Sequence, residues 1–336
     1  MARIAVDAMG GDHAPLAVVR GVEAAVAEHV ADVVLVGDEG VISPLLKSRS
    51  NIEIVHTPMV VTMDDSPSIA LRRKRDSSMN KAFTLLKEGK VDGVVSAGNS
   101  GAAMAFAIFT LGRIPGVERP AILTVHPNVL GSLSALLDAG GNVDCRPSHL
   151  VQFALMGDVF AKRILAIETP RIGLLSNGEE ETKGNELTRE THALLKTLPL
   201  NYRGYVEGND LYNGKTDVVV TDGFVGNVAL KVSEGIAELM VAFLKERVGK
   251  STKSKMGYLL LSDVFSALAK TCDYSEYGGM PLVGVDGVCI ICHGKSNERA
   301  LKNAVIQAKS FVGKNLNGHI KDAMEAYASK PRKKEL

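Results

Sequence analysis

With 336 residues, 46% hydrophobic content and a formal charge of +1, the chain has material for one large core or two lobes, and its charge balance argues against general nucleic-acid affinity. Its four cysteines, Cys145, Cys272, Cys289 and Cys292, are too few and too scattered for a disulfide framework. The longest apolar runs, such as Ala102 to Leu111, stop short of the roughly 20 residues that span a bilayer, and the N-terminus enters a strand without an export signal, so a cytoplasmic protein is expected.

In chain order, apolar patterning predicts strands at 3–7, 32–36, 51–55, 92–96, 121–125, 132–137, 171–175, 201–206, 216–220 and 287–292, with helices between most of them. Such alternation builds an α/β fold, a mainly parallel sheet sandwiched by helices. AILTVHP and GSLSALLD are separated by only a few residues around Pro127, Asn128 and Gly131, so they are expected to form an antiparallel hairpin. No Pro-, Gly- or Ser-rich linker and no repeat divides the chain. Residues 1–336 therefore read as one unit with two lobes sharing a continuous sheet.

Six strands run into polar loops. LLDAGGNVDCRP places Asp138, Asn142 and Asp144 after a buried strand, a grouping tolerated only when backbone donors, a ligand or a partner satisfy it. RIAVDAMGGDHAP ends its strand at Asp7 and passes Gly10, Gly11, Asp12 and His13 before a helix opening at Pro15. In VDGVVSAGNSGAAMAFAIF an apolar helix carries Asn99, Ser100 and Gly101 in its first turn. RIGLLSNGEEETKGNE, DVVVTDGFVGNVALK and GVCIICHGKSNERALKNAV follow the same grammar. In open α/β sheets ligands gather at such strand ends, where free N–H groups at helix starts favour an anion. Cys289, Cys292 and His293 spell C-x-x-C-H, a haem-attachment pattern, but the strand would point the two thiols to opposite faces, so buried thiols are expected and no metal. His293 follows the strand and suits site lining and a structural hydrogen bond about equally.

The blocks DAMGGDHAP, SAGNSGA, LLDAGGNVDC, NGEEETKGNE, TDGFVGNVALK and GMPLVGVDGV, in this order from Arg3 to about Val312, closely resemble the PlsX family of bacterial phosphate acyltransferases of phospholipid synthesis. The resemblance implies a fold like that of phosphotransacetylases and isocitrate/isopropylmalate dehydrogenases. It also implies transfer of a long-chain acyl group from an acyl carrier protein thioester to inorganic phosphate, giving acyl phosphate; in the residues themselves no spaced ligand set demands a divalent metal, and no cofactor is expected. Family members form homodimers and associate peripherally with membranes, and the product must pass to a membrane glycerol-3-phosphate acyltransferase. Two departures are mild: GGMPLVG stands where an alanine commonly precedes the proline, and ICHG replaces a more usual serine before the histidine. They bear on chain preference, through Met280, rather than on the reaction.

Acyl transfer to phosphate needs positioning of an anion and stabilisation of a tetrahedral oxyanion, with no Ser or Cys nucleophile because phosphate attacks directly. Lys183, in the family-like block ETKGNE, is the candidate cation, with a solvated surface lysine as the alternative. Asn227 sits with Asp222, Gly223 and Gly226 at a helix opening, where capping is the competing explanation. Both are assigned catalytic roles toward the phosphate and the thioester oxyanion. Asn99, Ser100, Gly101, Asp222, Gly223, Gly226 and His293 are expected around phosphate or substrate. Asp7, Asp12, His13, Asp138, Asn142 and Asp144 are expected to order loops, and Glu179 to Glu181 to form a solvated helix start.

Two surface features remain. Arg72, Arg73, Lys74 and Arg75 lie in a long helical pattern and either form a solvated face or dock the acidic carrier. Within 249–271, Lys250, Lys253 and Lys255 precede an amphipathic helix with Leu260, Leu261, Val264, Phe265 and Leu268. It suits a dimer interface, or a projection resting on anionic lipid. Competing functions are a dehydrogenase, for which no dinucleotide fingerprint is found, a non-catalytic adaptor, and a short-chain phosphate acetyltransferase.

Overall fold

Runs such as Val33 to Val36 and Val218 to Val220 are buried on both faces, as strands of a covered parallel sheet must be. The computed structural model describes residues 2–329, without the side chains of Cys272 and Tyr274. Among these residues eleven strands form one sheet: β1 (Arg3–Asp7), β2 (Asp32–Gly37), β3 (Ile52–His56), β4 (Gly93–Ser96), β5 (Ala121–Pro127), β6 (Leu133–Leu137), β7 (Ile172–Leu175), β8 (Tyr202–Val206), β9 (Val218–Val220), β10 (Met280–Val283) and β11 (Val288–Ile291). Their spatial order is β3-β2-β1-β4-β11-β10-β5-β6-β9-β7-β8. All ten predicted strands are present, and β5 and β6 pair antiparallel from Leu123↔Leu137 to Pro127↔Leu133. The strand that patterning missed is β10. Gly278, Gly279 and Pro281 make its sequence read as a turn, yet it lies between β11 and β5 with antiparallel neighbours on both sides.

The helices are α1 (Leu16–Ala27), α2 (Glu39–Ile42), α3 (Pro67–Arg73), α4 (Ser78–Lys87), α5 (Ser100–Phe106), α6 (Pro147–Arg163), α7 (Glu186–Leu195), α8 (Gly223–Gly249), α9 (Thr252–Leu260), α10 (Ser262–Cys272), α11 (Glu298–Gly313) and α12 (Leu316–Ala328). Strand alternation divides the core into two layers: Ile4 and Val6 of β1 pack on one side and Ala5 on the other. The first layer receives α1, α6, α11 and α12, with Phe160 and Phe311 meeting edge to face at 5.8 Å. The second receives α3, α4, α5 and Leu230 of α8. Cys289 falls in the second layer and Cys292 in the first, as alternation requires.

Sheet polarity decides where the polar loops go. β4 and β11 are parallel, but the pairs β11–β10, β10–β5 and β5–β6 are all antiparallel. Three reversals turn β6, β9, β7 and β8 opposite to β1, β4 and β11. The six polar loops therefore leave the sheet as two sets of three, at opposite edges. Helix α5 links them: its first turn follows β4, while Ala102, Ala103 and Phe106 share a core with Ala139 and Leu230.

Candidate active site

The first set of loops follows β6, β9 and β7, which are adjacent and parallel through Leu137↔Val220 and Leu174↔Val220. Asp138 is fully buried and organises it. Its carboxylate accepts N–H bonds from Ile122 at 2.9 Å, Gly141 at 2.9 Å and Asn142 at 2.6 Å, and from the Asn142 side chain at 2.8 Å. Burial pushes this carboxyl's pKa up while the donors pull against it. Asn142 also donates to the Pro120 carbonyl at 2.7 Å and accepts from Gly223 N–H at 2.7 Å, which ties the loop to the start of α8. At Gly226 a Cβ would lie 1.9 Å from the Asp138 carbonyl oxygen, so only glycine permits this approach.

That contact presents Asn227. It is exposed in the first turn of α8, packs against Gly140, and its carboxamide has no hydrogen-bond partner among the described residues. Asp222 caps the same helix by accepting from the N–H groups of Phe224 and Val225, both at 3.0 Å. Its carboxylate thus occupies two of the donors at that helix start.

Lys183 lies in the neighbouring loop after β7. Its stem passes over Gly178, where a Cβ would come within 2.8 Å of Lys183 Cγ. The lysine is half-buried, and its ammonium has no hydrogen-bond or ion-pair partner among the described residues. Glu181 instead pairs with Lys196. Sequence reasoning passed over Asn177, whose Oδ1 accepts the Gly184 N–H at 2.9 Å and pins the lysine loop. The block NGEEETKGNE contains it, and an asparagine before glycine is a turn signal that points to such a role. Helix α7 opens only at Glu186, capped by Asn185, so Glu179 to Glu181 form a turn rather than a helix start.

The second set of loops follows β1, β4 and β11. Asp7 is buried, accepts from Ser96 Oγ at 2.8 Å, and has its pKa raised by burial against those hydrogen bonds. The N–H of Asp12 donates to the Gly294 carbonyl at 2.8 Å, joining two loops, while the side chains of Asp12 and His13 are exposed. Asn99 caps α5 through the Ala102 N–H, and its Nδ2 donates to the carbonyls of Met63 and Asp65 at 2.9 and 2.8 Å. Its amide is therefore committed to the fold, which leaves Ser100 and Gly101 as the accessible residues of that turn. His293 accepts the Lys295 N–H on Nδ1 at 3.1 Å. Met104, about 6 Å along α5 from Ser100, reaches the other set at Gly141, where a Cβ would be 3.3 Å from its sulfur. Asp144 stays outside the Asp138 network and is exposed.

The three described thiols are unsuited to covalent catalysis. Burial pushes Cys145 and Cys292 up to about 12, and Cys289 upward as well.

The family model for fatty acid synthesis proteins matches residues 2–319. A phosphate acyltransferase of Geobacter sulfurreducens is 51% identical over 96% of this chain and 94% of its own length, and one of Geotalea uraniireducens is 52% identical with the same coverage. The chain belongs to the phosphate acyltransferase family. It is accordingly an enzyme of acyl transfer in fatty acid and phospholipid synthesis, which sets aside the dehydrogenase and adaptor readings. Among solved structures, a phosphotransacetylase from Streptococcus pyogenes superposes with a TM-score of 0.60 at 17% identity, over 92% of this chain and 93% of that one. A branched-chain phosphotransacylase from Enterococcus faecalis gives 0.56 at 14% identity, over 92% and 99%. These two share the fold.

In this phosphate acyltransferase the two surface features differ from their predicted shapes. The basic cluster straddles a break between α3 and α4, because Ser77 caps a new helix by accepting from Asn80 N–H. Lys74 is a structural tie, donating to Asp65 at 2.5 Å and to the Val60 carbonyl at 2.9 Å, so Arg72, Arg73 and Arg75 remain as the exposed charges. The 249–271 segment is two helices, α9 and α10, meeting at Leu261, rather than one. Leu260, Leu261 and Val264 are exposed by 81%, 52% and 62%, whereas Phe265 is half-buried and stacks on Tyr258, and Leu268 is half-buried. No described helix is long and apolar enough to cross a membrane.

Proposed function

We propose that this enzyme moves a long-chain acyl group from an acyl carrier protein thioester to inorganic phosphate, releasing acyl phosphate. The uncommitted Lys183 ammonium carries the reading, because its loop leaves the sheet beside the opening turn of α8. Lys183 holds the phosphate as a point charge, and the free Asn227 carboxamide donates to the developing oxyanion. A phosphate oxygen attacks the carbonyl carbon and forms the new C–O bond. The tetrahedral intermediate then collapses with cleavage of C–S, and the thiolate leaves with the electron pair. A thiol pKa near about 8.5 lets it depart with little acid assistance. Ser100 and Gly101 contribute hydrogen bonds to substrate from the far end of α5, with His293 on the adjoining loop.

Free thiol released from palmitoyl acyl carrier protein, measured with and without phosphate while hydroxylamine traps the product, tests the reaction. Phosphate-dependent release with trapped product is expected. Release without phosphate identifies a thioesterase, and acetyl-CoA activity exceeding carrier activity identifies a phosphate acetyltransferase.

The same reading includes an assembly. The face of α8 formed by Val228, Val232, Ile236, Leu239 and Phe243 is more than half exposed along its length, and we assign it to a homodimer. The α9–α10 tip, with Lys253 and Lys255 beside Leu260, Leu261 and Val264, rests on anionic lipid, giving a cytoplasmic enzyme at the membrane periphery. There acyl phosphate passes to a membrane glycerol-3-phosphate acyltransferase. Arg72, Arg73 and Arg75 face the acidic carrier, and the two halves of the sheet act as lobes of one catalytic unit.

A further inference from the structure

Past Asn142 the loop that packs against Asn227 continues into a cavity of about 630 Å³, lined by Asp144 and Arg146 and by Arg113, Glu118 and Arg119 from the segment before β5. None of the three guanidiniums is ion-paired among the described residues, and Arg113 donates only to the Glu118 carbonyl at 2.5 Å. Of the two carboxylates, Glu118 is already engaged. It accepts from Ser148 Oγ at 3.0 Å and lies 3.3 Å from Nε2 of His149, a buried cavity-lining residue. His149 Nδ1 accepts the Arg146 N–H at 3.1 Å, so Nε2 carries the proton that points at Glu118. Three guanidiniums against Asp144 and a satisfied Glu118 leave the cavity positive, and the 17-residue helix α6 opens into it with its positive end. Beside the charges lie Ile108 and the exposed Phe109, which together with Arg113 line an adjoining depression.

Unpaired guanidinium forks suit a phosphate ester, and the apolar margin suits an uncharged arm attached to it. We propose that this cavity binds the phosphate ester of the acyl donor's phosphopantetheine arm, so that the arm follows the 138–146 loop toward Gly140 and Asn227. The proposal deepens the acyl-transfer reading and rests on it. It also makes Arg113, Arg119 and Arg146 determinants of donor recognition, separate from the Lys183 region.

Calorimetric titration of the full-length protein with 4′-phosphopantetheine and with pantetheine tests the site directly. The phosphorylated arm is expected to bind on the order of tenfold more tightly, or better. Arg119→Ala combined with Arg146→Ala abolishes that preference, and the paired lysine variants restore part of it, since the charge remains and the fork is lost. Should the alanine pair misfold by circular dichroism, the lysine pair still reads the preference. In turnover, the ratio of kcat/KM for palmitoyl-phosphopantetheine over palmitoyl-pantetheine falls by a similar factor in the alanine pair. Equal binding of the two arms by the wild type, or a preference that survives in the alanine pair, overturns the assignment. A rise confined to the KM for inorganic phosphate overturns it too, because the cavity then serves the acceptor. Arginine-dependent binding of phosphopantetheine in a protein that transfers no acyl group to phosphate supports the cavity's ligand and sinks the reaction instead.

Discussion

Lys183 owes its availability to its neighbours: Glu181 is occupied by Lys196, and Gly178 leaves room for the lysine stem. Lys183→Ala is expected to lower kcat by roughly 10²- to 10³-fold, the scale of removing one transition-state charge contact, and Lys183→Arg to recover only part of it. Steady-state kinetics at saturating phosphate measure both. His126 behaves in the opposite way. It is buried with Nδ1 3.3 Å from the Tyr212 hydroxyl and Nε2 unpartnered among the described residues, and burial lowers its pKa to about 4 despite the opposing charge of Glu234. The unfolded chain takes up this proton near pH about 6.5, whereas the folded one refuses it until about 4. Stability from this group is therefore complete above that window and is lost as pH falls through it, by about 3 kcal/mol. Urea midpoints at neutral and mildly acidic pH should show a smaller acid loss in His126→Gln than in the wild type.

Among the elements, α8 couples the fold to the site. Its first turn is held by the Asp222 cap and by the contact of Gly226 with the Asp138 carbonyl, and that same turn aims Asn227. Gly226→Ala should cost about 2 kcal/mol or more by overpacking against backbone and should also reduce turnover, because the turn that shifts carries Asn227. Thermal unfolding and thiol-release assays on one preparation check the two effects together. The pattern of glycines and polar residues in GFVGN showed that something approaches this turn closely. The identity of the approaching group, the carbonyl of a residue 88 positions earlier in the chain, emerged only from the packing.

For the whole molecule, α8 has 27 residues, so it is about 40 Å long, but its buried residues are confined to Gly223, Gly226 and Leu230. A face that apolar along so much exposed helix needs a partner. With the homodimer proposed above, Ile236→Asp together with Leu239→Asp should convert the protein to a monomer in sedimentation velocity. A wild type that sediments as a monomer at micromolar concentration would reject that assembly. Charged substitution of Leu260 and Val264 should leave the oligomer intact and abolish flotation with anionic vesicles, which separates the tip from the dimer face.

The sequence alone determined the strands, the hairpin, the burial of Cys289 and Cys292 and the family, because each depends on local periodicity or on short blocks read in order. It did not reveal β10, since Pro281 obscures a strand that two antiparallel neighbours hold in place. It treated six polar loops alike, while the three antiparallel pairings between β11 and β6 send them to opposite edges. It could not distinguish caps from free groups: Asn99 and Asn227 have the same chemistry at the same kind of helix start, yet the first is consumed by Ala102, Met63 and Asp65 and the second is open. The arginines of the cavity are spread over 34 positions of chain and form no motif. Only the fold of β5 and β6 back upon one another brings them together, because sheet polarity and loop closure are settled by contacts between distant segments rather than by any local run of residues.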